Sequence, residues 1–227
     1  MKYIKSYNIF TPFPHRLVLH LLIPALGVLL SLCLMLVLRE SAEAMQNAHF
    51  FSMAYISGFL AIYAAVADGR IFGGSMRKGE SRIDYLKCSE RGTAVYRDAL
   101  IGDQMIRLLT VFLAVGLGAL LSVLLLRRSP QGMILSWLQF SAFAWMISQT
   151  GICMGRLLKF EAQIGIAVTC ILVMGMVATL LMMNESALLQ ETALLPLSVF
   201  CLLSGLLLGV WMVRQSVKKK GEEYHDC

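Results

Sequence analysis

Long apolar runs alternate with short polar links along most of this chain. The runs fall at about 17–38, 48–67, 104–126, 133–154, 163–183 and 197–214. An apolar run of about eighteen residues argues for a membrane span. In lipid every backbone N–H and C=O must be paired within the segment, so such runs have to be helical. The alternating ten-residue pattern of a membrane β-barrel is not visible. The pattern predicts an all-α polytopic membrane protein with six transmembrane helices. One stretch breaks it: residues 68–103 form a long polar loop between the second and third runs.

Smaller features refine the elements. Residues 1–16 mix Lys2, Lys5 and Arg16 with Tyr3, Tyr7, Phe10 and Phe13, a combination suited to a membrane surface. Pro12 and Pro14 should break any helix before the first span, leaving a short interfacial elbow. Pro24 and Gly27 lie inside that span, where neighbouring helices can tolerate them. The run is too long for a signal-peptide core, and Arg39 and Glu40 follow it, so an uncleaved span is expected. Residues 184–196 mix Glu185 and Glu191 with Leu188, Leu189, Leu194 and Leu195; a short surface helix and a re-entrant one both fit. Pro196 is placed to start the last span, and the charged tail after Arg214 should fray. Gly151/Gly155 and Gly205/Gly209 have the spacing that lets membrane helices approach closely.

Composition agrees with the pattern. Of 227 residues 58% are hydrophobic and only 15% charged, with a mean hydropathy of +0.70. Too few polar residues remain outside the runs for a second folded domain, so residues 1–227 read as one domain. The net charge of +6 has a sidedness that makes nucleic acid an unnecessary explanation. With the N-terminus inside, six spans return the C-terminus inside. Only Arg39, Arg127 and Arg128 of the twenty Lys and Arg then fall outside, as the positive-inside rule requires. The loop 68–103 and both termini are expected in the cytoplasm of a bacterial cell, with the chain multi-pass in the inner membrane.

Candidate chemistry is sparse. The six cysteines, Cys33, Cys88, Cys153, Cys170, Cys201 and Cys227, form no C-x-x-C pair or His/Cys cluster, which points away from zinc and a disulfide framework. The fourteen methionines scatter through apolar runs as packing residues do. No G-x-x-x-x-G-K-[ST] loop is present, so the chain is not expected to bind ATP in that way; Gly73, Gly74 and Gly79 read as a flexible turn. Asp68 and Asp103 fall at the inner ends of spans. With no Asp or Glu mid-span, the ionisable groups that ion-coupled carriers place at mid-membrane are missing. A carrier or membrane-embedded enzyme would have to use Gln139, Ser141, Ser148 and Gln149 of the fourth run. Gln149 and Thr150 read better as helix-packing hydrogen bonds.

Within the loop, Arg82–Cys88 and the stretch from Ala94 onward read as two helical pieces joined by a bend, with Ser89 or Thr93 as the cap of the second. Val95, Ala99 and Gly102 share one face of that second piece. The order Tyr85-Leu86-Lys87-Cys88-Ser89-Glu90-Arg91, then Thr93-Ala94-Val95-Tyr96-Arg97, resembles the cytoplasmic segment between spans two and three in membrane subunits of ABC-2 type ABC transporters. The family turn often contains Pro; here Gly92 takes part of the bend. The resemblance implies a permease with no catalysis of its own, coupled to a separate ABC ATPase subunit that carries the ATP and Mg. A homodimer or heterodimer with a second permease is implied too. It also implies that Asp84, Tyr85, Leu86, Lys87, Ser89, Arg91 and Arg97 form a coupling helix held by the ATPase, with Tyr85 and Leu86 as apolar anchors. The other reading of the same residues is a surface helix neutralising anionic headgroups. A third function, a non-transporting assembly or immunity subunit, would use only the loop and the small-residue faces.

Overall fold

One helix passes through the middle of the molecule and touches nearly every other element. The computed structural model describes residues 2–38, 42–72, 90–126, 130–157 and 187–225. They form α1 (Lys2–Phe10), α2 (Phe13–Leu17), a π turn (Val18–Leu22), α3 (Ile23–Leu38), α4 (Ala42–Ile71), α5 (Glu90–Leu126), α6 (Pro130–Leu157) and α7 (Ala187–His225). The central helix is α5, which packs against α1, the π turn, α3, α4, α6 and α7. Among the described residues the fold is all-helical, as expected, and no strand occurs.

Among the described residues, three stretches are long and apolar enough to cross a membrane: Phe13–Val37, Arg91–Leu125 and Leu195–Lys218. They match the first, third and sixth runs. The second run lies within α4, where Ser52–Ala64 is apolar. The fourth run forms α6. The fifth run lies outside the described residues; of the segment 184–196, residues 187–196 are the opening turns of α7, continuous with the sixth run rather than a separate short helix.

The N-terminal prolines act as expected. α1 stops at Phe10, and α2 starts with Pro14 in its first turn, where a missing N–H is harmless. Pro24 does something less expected. It cannot donate to the carbonyl of His20, and its ring crowds that carbonyl. The chain answers with the π turn just before it, in which the Ile23 N–H bonds the carbonyl of Val18, five residues back.

Two expectations fail at the other end. Pro196 does not start a helix; it lies inside α7, which continues on both sides of it. Two residues on, the hydroxyl of Ser198 donates to the Leu195 carbonyl at 2.8 Å; membrane helices can keep an internal proline. The tail does not fray at Arg214 either, because α7 remains helical to His225.

Glycines set the closest approaches. A methyl on Gly205 would lie 2.7 Å from the Trp145 ring and 3.4 Å from the Met146 Cα, so α7 rides directly on α6. A methyl on Gly209 would meet the side chains of Gln149 and Gln104 at 3.4 and 3.6 Å. The Gly205/Gly209 spacing therefore marks a close helix contact, as its pattern predicts.

Candidate functional site

The polar loop enters from α4 and leaves into α5. Asp84, Tyr85, Leu86, Lys87 and Ser89 lie outside the described residues. Arg91 is exposed in the first turn of α5. Arg97 is exposed as well, with Nη2 3.5 Å from Asp98 Oδ1. The expected bend does not fall at Gly92, nor the cap at Thr93: both lie within α5, which begins at Glu90 rather than near Gln104. The second piece of the loop and the third span are thus one helix. The face made by Ala99 and Gly102 is buried, and what covers it at Gly102 is α1, not lipid. A methyl on Gly102 would lie 2.6 Å from the backbone oxygen of Tyr3.

Below this contact sits a cluster of buried charges. Arg107 is 1% exposed, Asp103 0% and Asp68 4%. Arg107 Nε lies 2.8 Å from Asp103 Oδ2, one helical turn back on α5. Its Nη2 donates to Asp68 Oδ1 on α4 at 3.4 Å, and its Nη1 donates to the carbonyl of Ala64, also on α4. One guanidinium thus ties α5 to α4 through two nitrogens, while its third faces Asp103 on its own helix. Burying a charge is tolerable only when it is paired and hydrogen-bonded, and the planar fork of Arg suits that task better than Lys. Asp68 and Asp103, read from the sequence as lying at the inner ends of spans, are both enclosed within the bundle.

A second polar contact lies beside the first. His20, in the π turn, has Nε2 2.5 Å from the Tyr7 hydroxyl and Nδ1 2.5 Å from the Tyr63 hydroxyl. A neutral imidazole offers one N–H and one lone pair. One tyrosine therefore donates to the ring and the other accepts from it. Tyr7 and Tyr63 both feel the charges of Arg107 and Asp103, so the two contacts form one electrostatic neighbourhood. Tyr7 stands outside the span-length stretches. Burial, and then the negative charge of Asp103, push its phenol from the ordinary 10 up to about 12. A group whose pKa is raised on folding contributes stability that is intact below pH 10 and lost as pH rises through about 12. Tyrosinate absorbance should therefore show one phenol ionising near pH 12 that is missing in Tyr7→Phe. An unchanged difference spectrum between the two proteins near pH 12 would contradict this placement.

The fourth-run candidates lie together on α6. Gln139, Ser141, Ser148 and Gln149 are all buried. Gln149 Nε2 donates to Gln104 Oε1 on α5 at 2.7 Å. Thr150 and Ser148 each donate back to a carbonyl four residues earlier, at 2.9 and 2.6 Å. The Gln149 bond to α5 is the helix-packing hydrogen bond expected of it, whereas the Thr150 bond stays within α6. No grouping of His, Cys, Asp and Glu able to hold a metal ion occurs among the described residues.

Sequence reasoning missed the constellation of Tyr7, His20, Tyr63, Asp68, Asp103 and Arg107. The one legible signal was the spacing of Asp103 and Arg107, four apart and so on one helix face. Chemically the arrangement is a brace: opposite charges and hydrogen-bonded rings that hold α1, the π turn, α4 and α5 in register at the base of the polar loop. Fold and site together define an all-helical protein with helices fit to span a membrane. Comparison with protein-family models, with curated proteins and with solved structures finds no match to this chain.

Proposed function

We propose that the chain is the six-span permease subunit of an ABC transporter of the ABC-2 type, driven by a separate ATPase subunit. The single observation that carries this reading is the continuity of α5. It starts at Glu90, inside the segment resembling the family's coupling region, and runs unbroken to Leu126. A push on Arg91 or Arg97 therefore acts on the same rigid rod that would form the third span. The braced base of the loop supports the reading further, because a docking segment on a loose hinge would dissipate the push. In this reading the termini and the loop face the cytoplasm of a bacterial cell, two permease chains pair in the inner membrane, and the cargo is exported. The partner supplies ATP and Mg.

The ion-coupled carrier gains one observation, the buried Asp68–Arg107–Asp103 cluster. Its guanidinium already engages both carboxylates, which fits a brace better than an ion seat.

Co-expression with the cognate ATP-binding subunit provides the test. The wild-type complex should show ATPase activity above that of the soluble subunit alone. Tyr85→Ala with Leu86→Ala should remove that stimulation while leaving membrane insertion intact. Buried aromatic anchors of this kind are each worth about 2 kcal/mol or more at an interface. Full stimulation by the inserted double variant would sink the proposal.

A further inference from the structure

The N-terminal helix makes contacts that a surface anchor does not need. Lys2 Nζ lies 2.9 Å from Asp98 Oδ2, although the lysine is 74% exposed and the aspartate only 3%. Phe10 completes an aromatic trio with Phe72, just past the end of α4, and Tyr96, near the start of α5; the ring centroids are 6.0 to 6.1 Å apart. Phe72 and Tyr96 stand on either side of residues 73–89, so α1 grips both ends of the loop at once. Between these contacts, the Tyr3 backbone lies in the notch left by Gly102.

The same face of the helix also leads elsewhere: a methyl on Gly102 would lie 3.2 Å from Tyr7 Cβ. Tyr7 reaches His20, and His20 reaches Tyr63. His20 belongs to the π turn, a local register shift that often marks a working part of a helix. We propose that α1 is a strap: it carries movement of the loop's base to the π turn of the first span, and the Tyr7–His20–Tyr63 contact is where the movement arrives. The proposal rests on the permease reading only in naming what would move the loop. The mechanical link itself is a property of this chain.

Two variants of the full chain in lipid nanodiscs separate the parts. Gly102→Ala places a methyl against backbone atoms of Tyr3 and the Cβ of Tyr7, none of which can swing aside as a side-chain tip can, and so lifts α1, with Tyr7, from α5. Tyr7→Phe keeps the packed ring and removes only the hydroxyl. Hydrogen exchange should accelerate at least tenfold across residues 3–10 in Gly102→Ala. The same variant should also accelerate residues 18–22 and shift the imidazole NMR signal of His20, although neither is near position 102 in sequence. Tyr7→Phe should disturb 18–22 and leave 3–10 protected. If Gly102→Ala frees 3–10 while 18–22 and the His20 signal stay as in the wild type, the strap does not exist. With the ATPase subunit added, Tyr7→Phe should lower stimulated turnover severalfold at unchanged binding of that subunit; unchanged turnover would deny the strap its role. Failure of any ATPase to couple would overturn the permease reading and leave the exchange results standing.

Discussion

Arg107→Met should lower the stability of the folded bundle by roughly 3–5 kcal/mol, the usual consequence of removing one partner from a buried ion pair. The reason lies in what stays behind. Asp103 and Asp68 would remain enclosed, 0% and 4% exposed, with no guanidinium between them. The carbonyl of Ala64 would lose its side-chain donor at the same time. Methionine fills similar space, so packing loss contributes little and the effect reads the charges. The triple variant Asp68→Asn, Asp103→Asn and Arg107→Met should recover most of the loss, because the buried charge goes with its partner. Unfolding in mixed detergent micelles, followed by helical circular dichroism, measures both. A single variant as stable as the wild type would show that the cluster is not buried as described. A triple variant as weak as the single would show that the brace depends on shape rather than on charge.

Gly205→Leu should cost about 2–3 kcal/mol, at the upper end of what overpacking a close contact does. Even a methyl would lie 2.7 Å from the Trp145 ring and 3.4 Å from the Met146 Cα. Trp145 is 2% exposed, so it has nowhere to turn. The expected outcome is separation of α7 from α6, seen as a lowered Tm and as changed tryptophan emission. Leu207→Ala, two residues away on the outward face of α7, is the control and should leave Tm within about 1 °C, as surface changes usually do. A Gly205→Leu protein with wild-type Tm would remove the close approach from the description.

What was legible in the chain followed from local rules. Apolar runs announced the helices because lipid leaves the backbone no alternative. Pro12 and Pro14 announced the break after Phe10, and the Gly205/Gly209 spacing announced a close contact. The errors arose where a distant partner changed the meaning of a local signal. Asp103 reads as the inner end of a span, but nothing local says that it is buried there. Its neutralising partner was visible one turn away at Arg107, but the second carboxylate, Asp68, comes from another helix. Pro196 looked like a start because proline favours first turns, yet α7 absorbs it. Gly92 looked like a bend because glycine permits one; permission is not obligation, and the helix runs through it. The His20 contact was the least legible part. Its tyrosines lie 13 and 43 residues away, and the π turn that presents the ring is a response to Pro24 rather than a pattern of its own.

The unbroken α5 has a geometric consequence. Its 37 residues make a rod about 55 Å long at 1.5 Å per residue. The hydrocarbon of a bilayer is about 30 Å thick. In the proposed permease roughly 25 Å of the rod would stand clear of the hydrocarbon, and the stretch from Glu90 to Asp103 would be most of that overhang. It would be one arm, about 25 Å long, of a lever whose fulcrum is the guanidinium of Arg107. A change in tilt of about ten degrees, well inside the range membrane helices adopt, would swing the arm's tip by roughly 4 Å while the fulcrum stays nearly still.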